Sequence, residues 1–330
     1  MKRLFKGQLF TLYLLAAIVL AIVFPEPAAS GGVLRSEWTV KVVIWLIFIF
    51  QGISLPTGEL VRGYRPMRLH AFVLSWNFIL FPLIVWLLLL VFGLWIPQTL
   101  HLGFLALAIM PTTIAMSVSS TAGAGGNVPN AIFATVFSNL LAILWVPTVA
   151  VAYLSLEGGV RVELWPVFRD LGFLIVLPLI LGQVIRWLLP TLAQKIAPRA
   201  RPLSNLLIVF IIHVAFANSV KSGIFSDSGS GLVFYALSTS ALLLMLMTAL
   251  VWWSSAWLRL ARSARIAAFF TGAQKSVATG LPILLSVLAA LPVGLNLSHA
   301  LVLLPLLCYH PMQLFIAGVL IANGIGKGDE

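Results

Sequence analysis

The chain has 330 residues, 61% of them hydrophobic and 9% charged, with a mean hydropathy of +1.08 and a net charge of +11. Soluble domains carry roughly 25% charged residues, so this composition excludes a soluble globular protein and indicates a polytopic membrane protein of the all-α class. Cys308 is the only cysteine, which excludes an intrachain disulfide.

A membrane-spanning helix needs about 20 mostly apolar residues. Ten stretches qualify, at roughly 8–24, 39–56, 69–94, 100–122, 129–153, 166–189, 203–220, 231–257, 264–290 and 298–324. The connections around 25–38, 154–165 and 190–202 are too short for a second globular domain, so residues 1–330 read as one membrane domain. MKRLFK followed by an apolar run and PEPAASGG also has the form of a signal peptide. Its apolar run is long for such a peptide, and we read it as the first span.

Basic residues are distributed asymmetrically. With the N-terminus cytoplasmic, the inner segments carry Lys2, Arg3, Lys6, Arg62, Arg65, Arg68, Arg186, Lys195, Arg199, Arg201, Arg259, Arg262, Arg265 and Lys327. The outer segments carry only Arg35, Lys41, Arg161, Arg169 and Lys221. The positive-inside rule therefore predicts two cytoplasmic termini, consistent with an even number of spans, and explains the net charge without a nucleic-acid surface. The arginine trios at 62, 65, 68 and 259, 262, 265 read as topogenic, and the 11 tryptophans as an interfacial belt.

Two spans are interrupted. The fourth runs through Pro111, a series of small and hydroxylated residues to Thr121, and Gly123, Gly125, Gly126 and Asn127. The ninth contains AAFFTGAQKSVATGLPILLSVLAA, a stretch in which Lys275 is the one charge, with Gly272, Gly280 and Pro282 around it. An ammonium at the centre of a span costs about 3 kcal/mol on insertion scales, so it is kept where protein, water or a ligand receives it. Each broken span is the fourth of five, the signature of two repeats around a midplane site; five is odd, so the second copy would be inverted. The repeats would cover about 1–155 and 160–330. The small residues of span four also suit close helix packing in lipid.

FQGISLPTGEL in span two, WNFILFP in span three, PTT…GGNVPNAIFATVFSN in spans four and five, and GAQKSVATGLP in span nine resemble the bile acid:sodium symporter superfamily, in its bile-acid-symporter-like (SBF-like) branch. The resemblance runs over nearly the whole chain. It implies ten spans in two inverted five-span repeats, a panel and a core, with spans four and nine unwound where they cross, and transport by alternating access. It implies a sodium site at Asn77, Gln274 and the carbonyls of Thr271 and Ala273, and places Ser117 and Thr135 at a second one. Met116 and Ala131 stand where the symporters have serine, and Phe270 where they have a shared glutamate; the spacing near Asn127 differs by one residue.

Sodium favours oxygen ligands, and an anionic one offsets much of its dehydration. None of the nine acidic residues falls in mid-span. We therefore expect the Lys275 ammonium to take the place of one sodium, donating to hydroxyl and carbonyl oxygens around Ser117, Thr135 and Ser138. The coupling ion, the only cofactor expected, is then sodium at the remaining site or a proton released by Lys275. Ser276, Asn139, Asn127 and Gln51 complete the polar residues expected near this site, with Gln51, Ser138 and Asn139 equally suited to joining helices. His213 and His310 read as hydrogen-bonded packing residues.

No HExxH, paired intramembrane carboxylates or acidic metal cluster occurs, so an enzyme is not expected. A secondary transporter fits best, with a non-transporting regulator or a channel as the alternative. A positive midplane charge near half-helix N-termini favours a small organic anion, in a bacterial inner membrane.

Overall fold

A computed structural model describes residues 2–55, 62–158, 164–223, 229–289 and 298–325, and these are helical with no strand among them. Arg161, Lys327, Glu59, Glu163, Asp227, Asp329, Glu330 and the PTGEL part of the span-two motif lie outside the described residues. Among the described residues, seven helical segments are long and apolar enough to cross a membrane, and eight if Gln98–Ile109 and Ile114–Gly123, bent by 60°, form one span. Ten spans were expected. The shortfall falls on the first, where the apolar helix is Leu12–Val23, and on the ninth, which breaks into halves each too short alone.

The helices are α1 (Lys2–Val23), α2 (Ser36–Ser54), α3 (Met67–Ser75), α4 (Phe81–Phe92), α5 (Gln98–Ile109), α6 (Ile114–Gly123), α7 (Val128–Gly158), α8 (Leu164–Leu171), α9 (Leu177–Leu188), α10 (Pro190–Lys221), α11 (Gly229–Ser255), α12 (Arg262–Ala273), α13 (Val277–Ala289) and α14 (His299–Ala322). They form two compact units. One comprises Met1–Leu55, Pro147–Gly231 and Leu281–Ala300; the other comprises Pro56–Val146, Leu232–Gly280 and Leu301–Glu330.

In the first unit, α2 packs on α9 and α10, and α1 packs on α10. Glycines set the closest of these approaches. A Cβ on Gly52 would lie 2.3 Å from the Leu179 carbonyl oxygen, and one on Gly182 2.3 Å from that of Ile49, so α2 and α9 touch backbone to backbone. The α2 carbonyls left over at its C-terminus are then taken by α9: Gln183 donates to Gly52 O, and Arg186 Nη1 to Ile53 O at 2.7 Å. His213 Nδ1 lies 3.0 Å from Ala17 O, a packing contact between α10 and α1.

In the second unit, α12 packs on α3 and α6. Ala264, Ala267 and Ala268 meet Leu69, Val73, Ala131 and Ala134 in a buried cluster flanked by Phe72, Val118, Leu258 and Leu260. Small side chains let these helices approach closely where lipid supplies no hydrophobic drive. Between α3 and α4, Trp76–Leu80 forms a π-turn just before Pro82. Pro82 has no N–H and its ring crowds the preceding turn, which favours this wider winding.

Candidate functional site

Both expected interruptions are present, and they face each other within the second unit. Helix α5 ends at Ile109, and Met110 (φ −65°, ψ 146°) and Thr113 (φ −77°, ψ 127°) are extended. Pro111 cannot donate the bond that would continue the helix. Helix α12 ends at Ala273, Gln274 is extended (φ −102°, ψ 148°), and α13 begins at Val277. The two breaks bond directly, Ser276 N donating to Pro111 O at 2.8 Å.

Unwinding leaves backbone groups that must be paired in a buried setting. Thr112 N donates to Ser138 Oγ at 3.3 Å, and Asn139 Nδ2 donates to Thr112 O at 2.8 Å and Thr135 O at 2.7 Å. On the other side, Gln313 of α14 holds both backbone groups of Lys275: Lys275 N donates to Gln313 Oε1 at 2.8 Å, and Gln313 Nε2 donates to Lys275 O at 2.7 Å. The second Nε2 hydrogen reaches His310 Nδ1 at 2.8 Å. Ser276 Oγ accepts from Thr279 N at 3.2 Å and so caps α13.

The Lys275 side chain is completely buried. Its ammonium donates to Ala108 O at 2.7 Å, Met110 O at 2.9 Å and Asn77 O at 3.1 Å, and lies 4.1 Å from the centroid of the Phe81 ring. Three donors meet three acceptors. Each acceptor is free for a local reason. Ala108 and Met110 stand at the broken C-terminus of α5, the negative end of its dipole. Asn77 O is released because the π-turn sends Phe81 N to Trp76 O instead. Of the hydroxyl and carbonyl oxygens expected around Ser117, Thr135 and Ser138, no hydroxyl is a partner: the acceptors are all main-chain carbonyls, those of Asn77, Ala108 and Met110, which carry partial charge and lie where two helices lose their ladder.

The hydroxyls have other partners. Ser117 Oγ lies 3.1 Å from Phe270 O, 3.0 Å from Gln274 Oε1 and 3.1 Å from Thr112 Oγ1. Thr135 Oγ1 donates to its own helix at Ile132 O, 3.0 Å. Asn127 sits with Ser263 at the far end of α12, its N–H donating to Ser263 O at 2.9 Å, so it is remote from Lys275 along that helix. Gln51 belongs to α2 of the other unit.

The residues proposed for sodium have protein partners in this arrangement. Asn77 Nδ2 donates to Thr271 O at 3.2 Å and to Val73 O at 2.9 Å, and Tyr309 Oη donates to Ala273 O at 3.3 Å, so protein donors take both carbonyls. Asn77 Oδ1 and Gln274 Nε2 are buried without a partner among the described residues. Phe270, at the position of the shared glutamate, is buried against Phe269 with ring centroids 5.0 Å apart. Ala131 is buried in the α3–α7–α12 cluster. Among the described residues, no group of three or more His, Cys, Asp or Glu is placed to hold a metal.

Gln313, Tyr309 and Thr112 were not anticipated. A glutamine two residues after Pro311 in YHPMQL is a polar residue in mid-span, the same signal that singled out Gln51 and Asn139.

A family model of the SBF-like CPA transporter family matches residues 8–324. Sodium/bile acid cotransporter 7 of Danio rerio is 31% identical over 94% of this chain and 93% of its own length. The protein of the same name in Mus musculus is 27% identical, covering 96% of this chain and 92% of the relative. An uncharacterised protein of Pseudomonas aeruginosa is 29% identical over 97% of this chain and 94% of its own length.

Proposed function

Because the chain belongs to the SBF-like CPA transporter family, we propose that it is a secondary active transporter moving a small organic anion by alternating access, with the Lys275 ammonium in place of one coupling sodium. One observation carries this reading. At the meeting of two broken spans, where a transporter of this kind binds its ion, a fixed protein cation fills a cage of three carbonyl oxygens. Carbonyl oxygens are also what a hard cation requires, so one cage serves either occupant.

The reading extends to ten spans in two inverted repeats. In support, each compact unit combines segments from both halves: the regions of spans one, two, six and seven with the ends of five and nine in one, and three, four, most of five, eight, the first part of nine and ten in the other. An internal positive charge and the names of the relatives support an anionic amphiphile as solute. The basic asymmetry supports cytoplasmic termini in a bacterial inner membrane. The coupling ion is sodium at Asn77, Gln274 and the Thr271 and Ala273 carbonyls, or a proton; that both carbonyls already accept from protein donors supports the proton or an uncoupled cycle.

The test is thermal stability of purified protein against matched panels of organic anions and cations, followed by uptake of each stabilising compound into proteoliposomes. Saturable stabilisation by anions with uptake into the vesicles supports the reading. Strong stabilisation by cations with none by anions contradicts it. A second reading, a non-transporting regulator or channel, draws on the completeness of the lysine's contacts, which leave the ammonium no proton to offer a ligand. It gains if no compound shifts stability.

A further inference from the structure

Several arginines of the second unit gather at one end. Arg68 lies in the first turn of α3, preceded by Arg65; Arg262 opens α12, and Arg259 follows the short 3₁₀ turn Ala256–Leu258 that ends the α11 span. All four are exposed. Packing brings their segments together: Leu69, next to Arg68, shares a cluster with Ala264, Leu258 and Leu260, which bracket Arg259 and Arg262. Cross-links fix the surrounding loops. Asn130 Nδ2 donates to Gly63 O at 2.9 Å and Arg65 O at 2.5 Å, and Asn127 N donates to Ser263 O.

Two further features suit a bound anion at this end. Helices α3 and α12 both begin there, and neither Pro66 nor Ala261 caps its helix with a side-chain hydrogen bond, so first-turn N–H groups remain for an acceptor. Among the described residues, no carboxylate pairs with Arg65, Arg68, Arg259 or Arg262. Exposed Tyr64, Met67, Trp253 and Trp257 lie beside the arginines, at the level where the apolar spans Met67–Trp95 and Gly231–Leu258 stop. Exposed arginines in or beside the first turns of uncapped helices, with interfacial aromatics next to them, match a phosphate group held at the membrane boundary.

We propose that this end of the second unit binds the headgroup of an anionic phospholipid. The arginines then do more than set topology: they select phosphatidylglycerol-type lipid around the mouth of α3 and α12, and α12 carries the Lys275 break at its other end. The proposal is independent of the transport reading.

The experiment is titration of full-length protein in neutral detergent with phosphatidylglycerol, phosphatidylcholine or inorganic phosphate, read as thermal midpoint and as lipid adducts in native mass spectrometry. Phosphatidylglycerol should raise the midpoint saturably and leave persistent adducts, with both effects reduced by high salt. Neutralising Arg65, Arg68, Arg259 and Arg262 together to Gln should weaken this binding by at least about fiftyfold, since each arginine near an anionic headgroup contributes about fivefold. Lys41→Gln on α2 should leave it unchanged. If the fourfold Gln variant does not insert, the fourfold Arg→Lys variant, which keeps the charge and loses the bidentate fork, should still bind more weakly than wild type. Wild-type adducts that do not distinguish phosphatidylglycerol from phosphatidylcholine would overturn the proposal. Equal stabilisation by inorganic phosphate, or a fourfold Gln variant that responds like wild type, would do the same.

Discussion

Gln313→Leu tests how the broken ninth span is held. The glutamine side chain accepts from Lys275 N at 2.8 Å and donates to Lys275 O at 2.7 Å and His310 Nδ1 at 2.8 Å. Leucine has similar bulk and offers none of these bonds. In the 274–276 break no helical ladder replaces them, so the N–H and C=O of Lys275 are both orphaned while buried. An unsatisfied buried group costs about 1–3 kcal/mol, giving about 2–6 kcal/mol for the pair. The assay is the thermal midpoint and unfolding rate of the purified variant in one detergent, beside Ser238→Ala, whose hydroxyl bonds only to its own helix at Phe234 O and Tyr235 O. Ser238→Ala should stay within about 0.5 kcal/mol of wild type. If Gln313→Leu did the same, the clamp would be incidental and the break would be held by other contacts.

Phe81→Leu removes the ring 4.1 Å from the ammonium and its edge contact with Tyr309, and should cost about 2–3 kcal/mol in the same assay. Asn139→Leu strands Thr112 O, while Thr135 O keeps its helical N–H, and should cost about 1–3 kcal/mol with a larger rise in proteolysis around the 110–113 break than elsewhere. Gly182→Val puts side-chain atoms where α2 and α9 touch, so it should destabilise by at least about 1–3 kcal/mol, while Gly172→Val, with open space around its Cβ position, should cost less.

Much of this arrangement is legible from residue types. Pro111, the glycines around span four and the solitary Lys275 locate both breaks, because proline and intramembrane charge have few places in a span. The lysine's partners are not legible. They are main-chain carbonyls, identical in every residue, and one of them is released only by a π-turn that shifts the Phe81 bond to Trp76. Serine and threonine around the site suggested side-chain acceptors, but Thr135 returns its proton to its own helix, as hydroxyls in spans commonly do. Gln313 escaped notice because its role is to pair with a backbone segment that only the break exposes. The break in the ninth span is legible from Lys275, Gly272, Gly280 and Pro282, and the two short helices on either side of it follow.

The central claim is that a protein ammonium occupies the place of a coupling cation. It is tested by the thermal stability of wild type and Lys275→Ala across sodium, lithium and potassium at fixed ionic strength. Removing the ammonium uncovers three carbonyls, so the variant should be less stable by about 3–5 kcal/mol and should recover part of that loss saturably with sodium, while wild type ignores all three ions. Wild type stabilised saturably by sodium, with Lys275→Ala responding alike, would contradict the account and make the sodium site a separate one.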